Sequence, residues 1–199
     1  DSETIQSLGY YHDVFGYRGW PPVGKGQRDS PLTEPREIVH GLGAAMLVDR
    51  DVWRDVGGFD EGNFMYGDDA YLCLQAWVRG HHVETVPESV VYHEEDVTLG
   101  GNPMKPYHLM RNKTRTYLKT LQSSSLVLGF PGFVFLFLGQ LMKDVVVRRR
   151  LRTPAYRLVG FLAALATFPD IYRHRKELQN AREYDDSRYL TPVTRTWNM

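Results

Sequence analysis

The chain reads as mixed α/β in its first half and as helices in its second. Three stretches carry that reading. IVHGLGAAMLV at 38–48 is a run of small and apolar residues, the pattern of a buried strand. From Asp69 onward, Ala70, Cys73, Leu74, Trp77 and Val78 follow the i, i+3, i+4, i+7, i+8 spacing of an amphipathic helix. After Pro106 the strand signals stop, and long helical patterns take over, first basic and then strongly apolar.

Residues 1–37 are rich in Gly, Pro, Tyr and charge, without sustained periodicity, and read as loop. Trp20 and the tyrosines there either line a binding surface or pack the loop onto its own domain. Within the expected strand, Gly41 and Gly43 allow another backbone or a ligand to come close. Asp49 is placed to cap a short helix, RDVWRDV, which Gly57-Gly58 would end. Phe59 to Gly62 reads as a turn, and Gly80 as the stop of the helix that follows Asp69. HVETV and SVVYH then read as two short strands joined by Pro87-Glu88.

YHLMRNKTRTYLKTL is a basic helical stretch. The apolar run from Leu126 to Met142 is near the lower length limit for a membrane span, and Gly129, Pro131, Gly132 and Gly139 argue against a regular helix. The second apolar stretch, 158–168, is too short to span. Arg148, Arg149, Arg150 and Arg152 lie between the two. The expectation is helices on or dipping into a membrane, with arginines at anionic headgroups. The competing expectation is a pair of buried helices. The last residues, from Gln179, are polar and read as loosely ordered. The divisions expected are 1–105, 106–180 for the membrane-associating helices, and a tail at 181–199.

A chain of 199 residues suits one sizeable domain, or a domain with an appendage. Its formal net charge of zero implies no broad attraction to nucleic acid. One cysteine, Cys73, excludes an internal disulfide and any zinc site built from several cysteines, and a reducing compartment fits. No signal peptide is visible behind Asp1, and the expectation is a piece of something longer.

The chemistry-bearing candidate is Asp68-Asp69, at the head of the expected helix. A carboxylate there can accept hydrogen bonds from free backbone amides, typically worth about 1 kcal/mol. One cap needs one carboxylate, and here there are two, preceded by the aromatic and flexible NFMYG. Like charges raise each other's pKa while a helix N-terminus lowers it. Those opposed effects can leave one Asp ionised yet basic enough to take a hydroxyl proton. Capping and catalysis both stand at this point. His93 is the second candidate. It ends SVVY and precedes Glu94, Glu95 and Asp96, a setting that suits a divalent metal or, more plainly, a surface histidine. His40, His81, His82 and His108 lack metal-ligand spacing. There is no phosphate loop of the Gly-x-x-x-x-Gly-Lys type, no Gly-x-Ser-x-Gly elbow and no His-Glu-x-x-His. Cys73 lies on the apolar helix face and reads as core.

GLGAAMLVDRDVWRDVGGFDEGNFMYGDDAYLCLQAWVRGHHVETVPESVVYH, Gly41 to His93, resembles the C-terminal part of family-2 inverting glycosyltransferases of the GT-A fold, especially rhamnosyltransferase-like members. RNKTRTYLK and FPDIYRHRKELQNAR are similar to that family's C-terminal helices. The resemblance implies sugar transfer from a nucleotide-sugar to a cell-surface glycan or lipid-linked acceptor, with a divalent metal (Mg or Mn), in the cytoplasm at a membrane. It puts the general base at Asp69 with Asp68 as its pair, the metal at His93, donor and acceptor near Gly43 and Ala44, and the acceptor border at Phe64 and Tyr66. Asp68 stands where the family usually has Glu, and Tyr71 and Gln75 stand where it often has Asp and Arg. The nucleotide-binding half and its Asp-x-Asp are expected to lie outside this chain, because Asp49-Arg50-Asp51 reads as a cap and first turn. A non-catalytic module docking on membrane or partner, and a metal-dependent hydrolase using His93, are the competing functions.

Overall fold

Helix α2 (Asp68–Val78) is the element around which the chain is assembled. Every residue from Ala70 to Val78 is buried, so the amphipathic reading was too narrow: α2 is covered on all sides. On one side Leu74, Trp77 and Val78 meet Val39, Leu178 and Tyr189. On another, Leu72 and Ala76 meet Val56 of helix α1 (Arg50–Val56). The Trp77 indole N–H donates to the Ile38 carbonyl at 3.1 Å, which fixes the ring inside the first cluster.

The computed structural model describes residues 4–16, 26–30, 32–94 and 102–190. Trp20, and the Glu95 and Asp96 beside His93, lie outside them. The described chain is mostly helical, so the expected α/β balance shifts toward α. Its sheet is one antiparallel pair, β1 (Arg36–Glu37) with β2 (Glu84–Thr85), in the register Arg36 to Thr85. Of the expected strand at 38–48, only Ile38 to His40 behave as one. Ile38 N–H bonds Val83, and Val39 N–H bonds Tyr10. Beyond Gly41 the chain leaves the ladder: the Gly43 amide bonds a carboxylate and not a neighbouring strand, Leu47 is fully exposed, and Met46 and Val48 pack on the cluster of Val56, Leu72 and Ala76. SVVYH is likewise irregular and exposed; its apolar residues find no inner face to cover.

The caps at α1 are as expected. Asp49 Oδ1 accepts from the amides of Asp51 and Val52, and Gly57 closes the helix at φ 78°. The turn that follows tightens into a 3₁₀ segment, Glu61–Asn63.

Helix α3 (Lys105–Thr120) has two unlike faces. Met110 and Tyr117 pack with Leu121 on Phe133 and Phe137 of α4 (Ser123–Val146). Asn112, Arg115 and Lys119, at i, i+3 and i+7, form a polar face, and all three are buried. Arg115 Nη2 binds Asp170 of α6 (Phe168–Asn180) at 2.9 Å and lies 3.4 Å from Asp60, while Lys119 Nζ binds Asp60 at 2.7 Å. Burial alone would push the Asp60 carboxyl up; the hydrogen bond and charge of Lys119 and the charge of Arg115 outweigh it and hold Asp60 below the ordinary range. Two cations and two carboxylates thus join the 59–63 turn, α3 and α6.

Helix α4 is a continuous 24-residue helix through Pro131, against the expectation of an interrupted one. Gly129 and Gly132 do not break it but let neighbours in. A Cβ at Gly129 would strike the Val14 carbonyl and the Tyr117 hydroxyl, and one at Gly132 the Phe15 ring. Helix α5 (Arg152–Ala166) comes equally close to α3, with Gly160 against the Tyr107 carbonyl. Asp144 of α4, fully buried, binds Arg157 of α5 and Arg148. Residues 179–190 of the expected loose tail are structured: α6 runs to Asn180 and a short helix follows. Helix α7 (Asp186–Tyr189) stacks Tyr189 on Trp77 at 5.8 Å, and Arg188 grips Glu37 with both nitrogens at 2.7 and 2.8 Å.

Asp60→Ala leaves Lys119 buried without its close partner. We expect a loss of about 3–5 kcal/mol in urea unfolding. Because the folded Asp60 pKa is depressed, its stabilisation is complete above the ordinary Asp value of about 4 and fades as pH falls through the lower folded value. Wild type should therefore lose stability more steeply in acid than Asp60→Asn does.

Candidate active site

Asp68 and Asp69 are the first two residues of α2; the cap itself is Gly67 at φ 82°. A glycine cap supplies no side chain, so the carboxylates meet the free amides from inside the first turn. Asp69 Oδ1 accepts from the Ala70 amide at 2.7 Å, and its Oδ2 accepts from the Gly43 amide at 3.0 Å. A Cβ on Gly43 would lie 3.3 Å from Asp69 Cβ, so the approach leaves little room for any other residue there. The expectation at Gly43 was the approach of another backbone or a ligand; what lies against it in the structure is the Asp69 side chain. Ala44 follows in the same exposed turn. Asp68 is half-buried. Burial raises its carboxyl above the ordinary range and the Asp69 charge adds to the rise, while the amides of Asp68 and Asp69 pull the other way.

The chain enters this helix through a strained loop. Phe64 has φ 58° and ψ −60°, and the Met65 amide bonds the Asn63 carbonyl at 2.7 Å. That is a γ-turn of the rare positive-φ kind. Tyr66 follows at φ 65°. Two non-glycine residues in left-handed backbone cost on the order of 1–3 kcal/mol each and persist only where surroundings impose them. Asn112 imposes them here: its Nδ2 donates to the carbonyls of Asn63, Met65 and Tyr66 at 2.7, 2.7 and 2.9 Å. Arg111 adds a bond to the Gly62 carbonyl at 2.7 Å, and Arg115 Nε reaches Asn63 Oδ1 at 3.3 Å.

The loop carries two aromatic residues shortly before the carboxylates in the chain. Phe64 is 76% exposed. Tyr66 is half-buried, with Lys105 Nζ 5.6 Å from its ring centroid. His108 lies between them, its ring 6.0 Å from Phe64 and 6.5 Å from Tyr66. Burial first, and the Arg111 charge second, lower the His108 pKa, so the ring is neutral at pH 7. Neither the Tyr66 hydroxyl nor His108 Nδ1 has a hydrogen-bond partner among the described residues, and both atoms are buried. A cavity of about 300 Å³ opens on the other side of the first turn of α2, between Gly67, Ala70 and Leu74 and the Lys113, Tyr117 and Leu121 side of α3.

His93 is not brought into this group. It lies in exposed chain, with Nδ1 3.0 Å from Gln6 Oε1. Among the described residues no three His, Cys, Asp or Glu side chains converge as a metal-binding group. Cys73 is core, as expected, and burial pushes its thiol up to about 12.

Sequence reasoning missed Asn112, Arg115, Lys119, Asp60 and His108. A signal was present: Asn112, Arg115 and Lys119 recur on one face of a helix whose opposite face is apolar, which makes that polar face a buried one when the helix is enclosed.

Comparison with known proteins bears on the same segment. Residues 29–118 match the family model described as glycosyltransferase like family 2, a stretch that holds Gly43, both aspartates, Asn112 and Arg115. Human polypeptide N-acetylgalactosaminyltransferase 9 is 25% identical over 142 residues, covering 67% of this chain and 22% of that protein. The protein of the same name from Macaca fascicularis is similar to the same degree. The chain thus spans about a fifth of the length of these curated relatives. No solved structure matches it. The family match and these relatives support glycosyl transfer as the general chemistry.

The clamp gives a sharp expectation. Asn112→Ala should cost about 2–3 kcal/mol in thermal or urea unfolding, by stranding buried carbonyls. Asn112→Asp is the same size but turns acceptor oxygens on three carbonyl oxygens, and should cost more than the alanine.

Proposed function

We propose that this chain is the acceptor-side part of an inverting, family-2-like glycosyltransferase of the GT-A fold. It moves a sugar from a nucleotide-sugar to a hydroxyl of a cell-surface glycan or lipid-linked acceptor, at the cytoplasmic face of a membrane. The observation that carries the reading is the 3.0 Å bond from the Gly43 amide to Asp69 Oδ2. It joins two segments 26 residues apart, both within the stretch that matches the family. Resemblance to rhamnosyltransferase-like members supports inversion.

Asp69 is the base in this proposal. Each of its oxygens receives one backbone N–H, which fixes the carboxylate and leaves further lone pairs for an acceptor O–H. The acceptor oxygen attacks the anomeric carbon from the face opposite the nucleotide. Its proton passes to Asp69, and the bond to the diphosphate breaks with the electron pair leaving on the diphosphate. Asp68, held above the ordinary range by burial and by the Asp69 charge, is its immediate neighbour. Phe64 and Tyr66 offer ring faces to an acceptor sugar, and neutral His108 offers a hydrogen-bonding nitrogen near them. A divalent metal belongs to the proposal, with His93 as the ligand expected from this chain. A docking role without catalysis is the second reading, and the exposed apolar side of α4 favours it.

The experiment is transfer by the full-length protein, with product configuration read by NMR. Asp69→Asn should lower turnover by about 10²–10⁴-fold. Asp68→Asn should retain more activity and shift the acid limb of the pH profile. Wild-type turnover in Asp69→Asn would remove Asp69 as base, and a retained anomeric configuration would remove the inverting mechanism.

A further inference from the structure

Helix α4 is about 36 Å long and apolar enough to cross a membrane by length and composition. One side of α4 is fastened to the polar body along most of its length. Gly129 abuts Val14 and Tyr117, Phe133 and Phe137 are buried in the α3 cluster, and Asp144 is buried between Arg148 and Arg157. The Tyr117 hydroxyl bonds the Val14 carbonyl at 2.6 Å, and Lys113 Nζ lies 5.4 Å from the Phe133 ring centroid. A spanning α4 would drag these groups into hydrocarbon or tear them away, and each buried polar group left unpaired there costs several kcal/mol.

The opposite side is free and apolar. Leu128, Phe135, Leu138 and Met142 are 76, 75, 51 and 61% exposed, a stripe at helical spacing that continues to Val146. At its C-terminal end the chain turns into α5 through Arg148, Arg149, Arg150 and Arg152. The last three face solvent, and Arg148 is half-exposed beside Asp144. An apolar stripe ending in a cluster of cations complements a surface that is apolar inside and negative at its headgroups.

We propose that α4 lies in the plane of an anionic lipid leaflet, with its stripe in the acyl boundary and the 148–152 arginines on the headgroups. This rests on the membrane-associated reading above and not on the transfer chemistry, so the two fail separately. The orientation lays the polar body against the leaflet, within reach of a lipid-linked acceptor.

The test uses the full-length protein carrying one environment-sensitive fluorophore on a cysteine at position 128, 138 or 146 (Leu128→Cys, Leu138→Cys, Val146→Cys). Cys73 is buried and its thiol pushed up to about 12, so it competes poorly for the label. Vesicles of phosphatidylcholine, with or without phosphatidylglycerol, carry quenchers at defined depths. All three positions should report the same shallow depth, about 5–10 Å below the headgroups. Binding should weaken about tenfold or more in Arg149→Glu/Arg150→Glu and on removing the anionic lipid. Position 138 deep with 128 and 146 near opposite surfaces would establish a span and overturn the proposal. Equal binding to neutral vesicles would overturn the headgroup role. No quenching in any vesicle would mean that protein, not lipid, covers the stripe.

Discussion

Arg115 and Lys119 sit one turn apart on α3, where almost no water reaches them, and each needs a carboxylate. Asp60 and Asp170 supply it, from a loop and from α6 respectively. Isolated buried charges are costly, so these four groups cannot be satisfied unless three distant segments meet. Burial weakens the proton affinity of Lys119, and its bond to Asp60 opposes that effect. The network is specific rather than merely cohesive. An apolar substitute could fill the same space, but it would not dictate that the 59–63 turn lies against α3.

That placement decides the candidate site. Once the turn is held by Arg115, the next residues must reach α2 in a short span, and the chain does so through positive φ at Phe64, Tyr66 and Gly67. Asn112, one turn before Arg115, takes the three carbonyls that this contortion turns inward. The strain is therefore maintained by one face of one helix. Its result is an α2 whose first turn has a glycine cap, two carboxylates and two aromatic residues at its mouth. The Gly43 amide closes the arrangement from the other side.

Local chemistry was legible in the sequence, and long-range pairing was not. Asp49 and Gly57-Gly58 delimit α1 as their side chains and backbone freedom require. Asp68-Asp69 begin α2, and Cys73 is core, both from spacing alone. The strand at 38–48 was misread because apolar content does not say what a backbone amide will bond. The Gly43 amide met a carboxylate, and the ladder ended at His40. Gly129 and Gly132 of α4 looked like breaks because their use is tertiary: they admit Val14, Tyr117 and Phe15. Asn112, Arg115 and Lys119 read only as part of a basic helical stretch, since nothing local shows that Asp60 and Asp170 will arrive.

The central claim is that the polar face of α3 sets the environment of the carboxylate pair. The most direct measurement is a carboxyl-carbon NMR titration of Asp68 and Asp69, in wild type and in folded Asn112→Ala. Wild-type Asp68 should titrate above the ordinary Asp value of about 4, because burial and Asp69 raise it. It should return toward that value in the variant, as the loop relaxes and water reaches the first turn of α2. An Asp68 that titrates normally in wild type, or identically in both proteins, would show that the polar face of α3 does not set this environment.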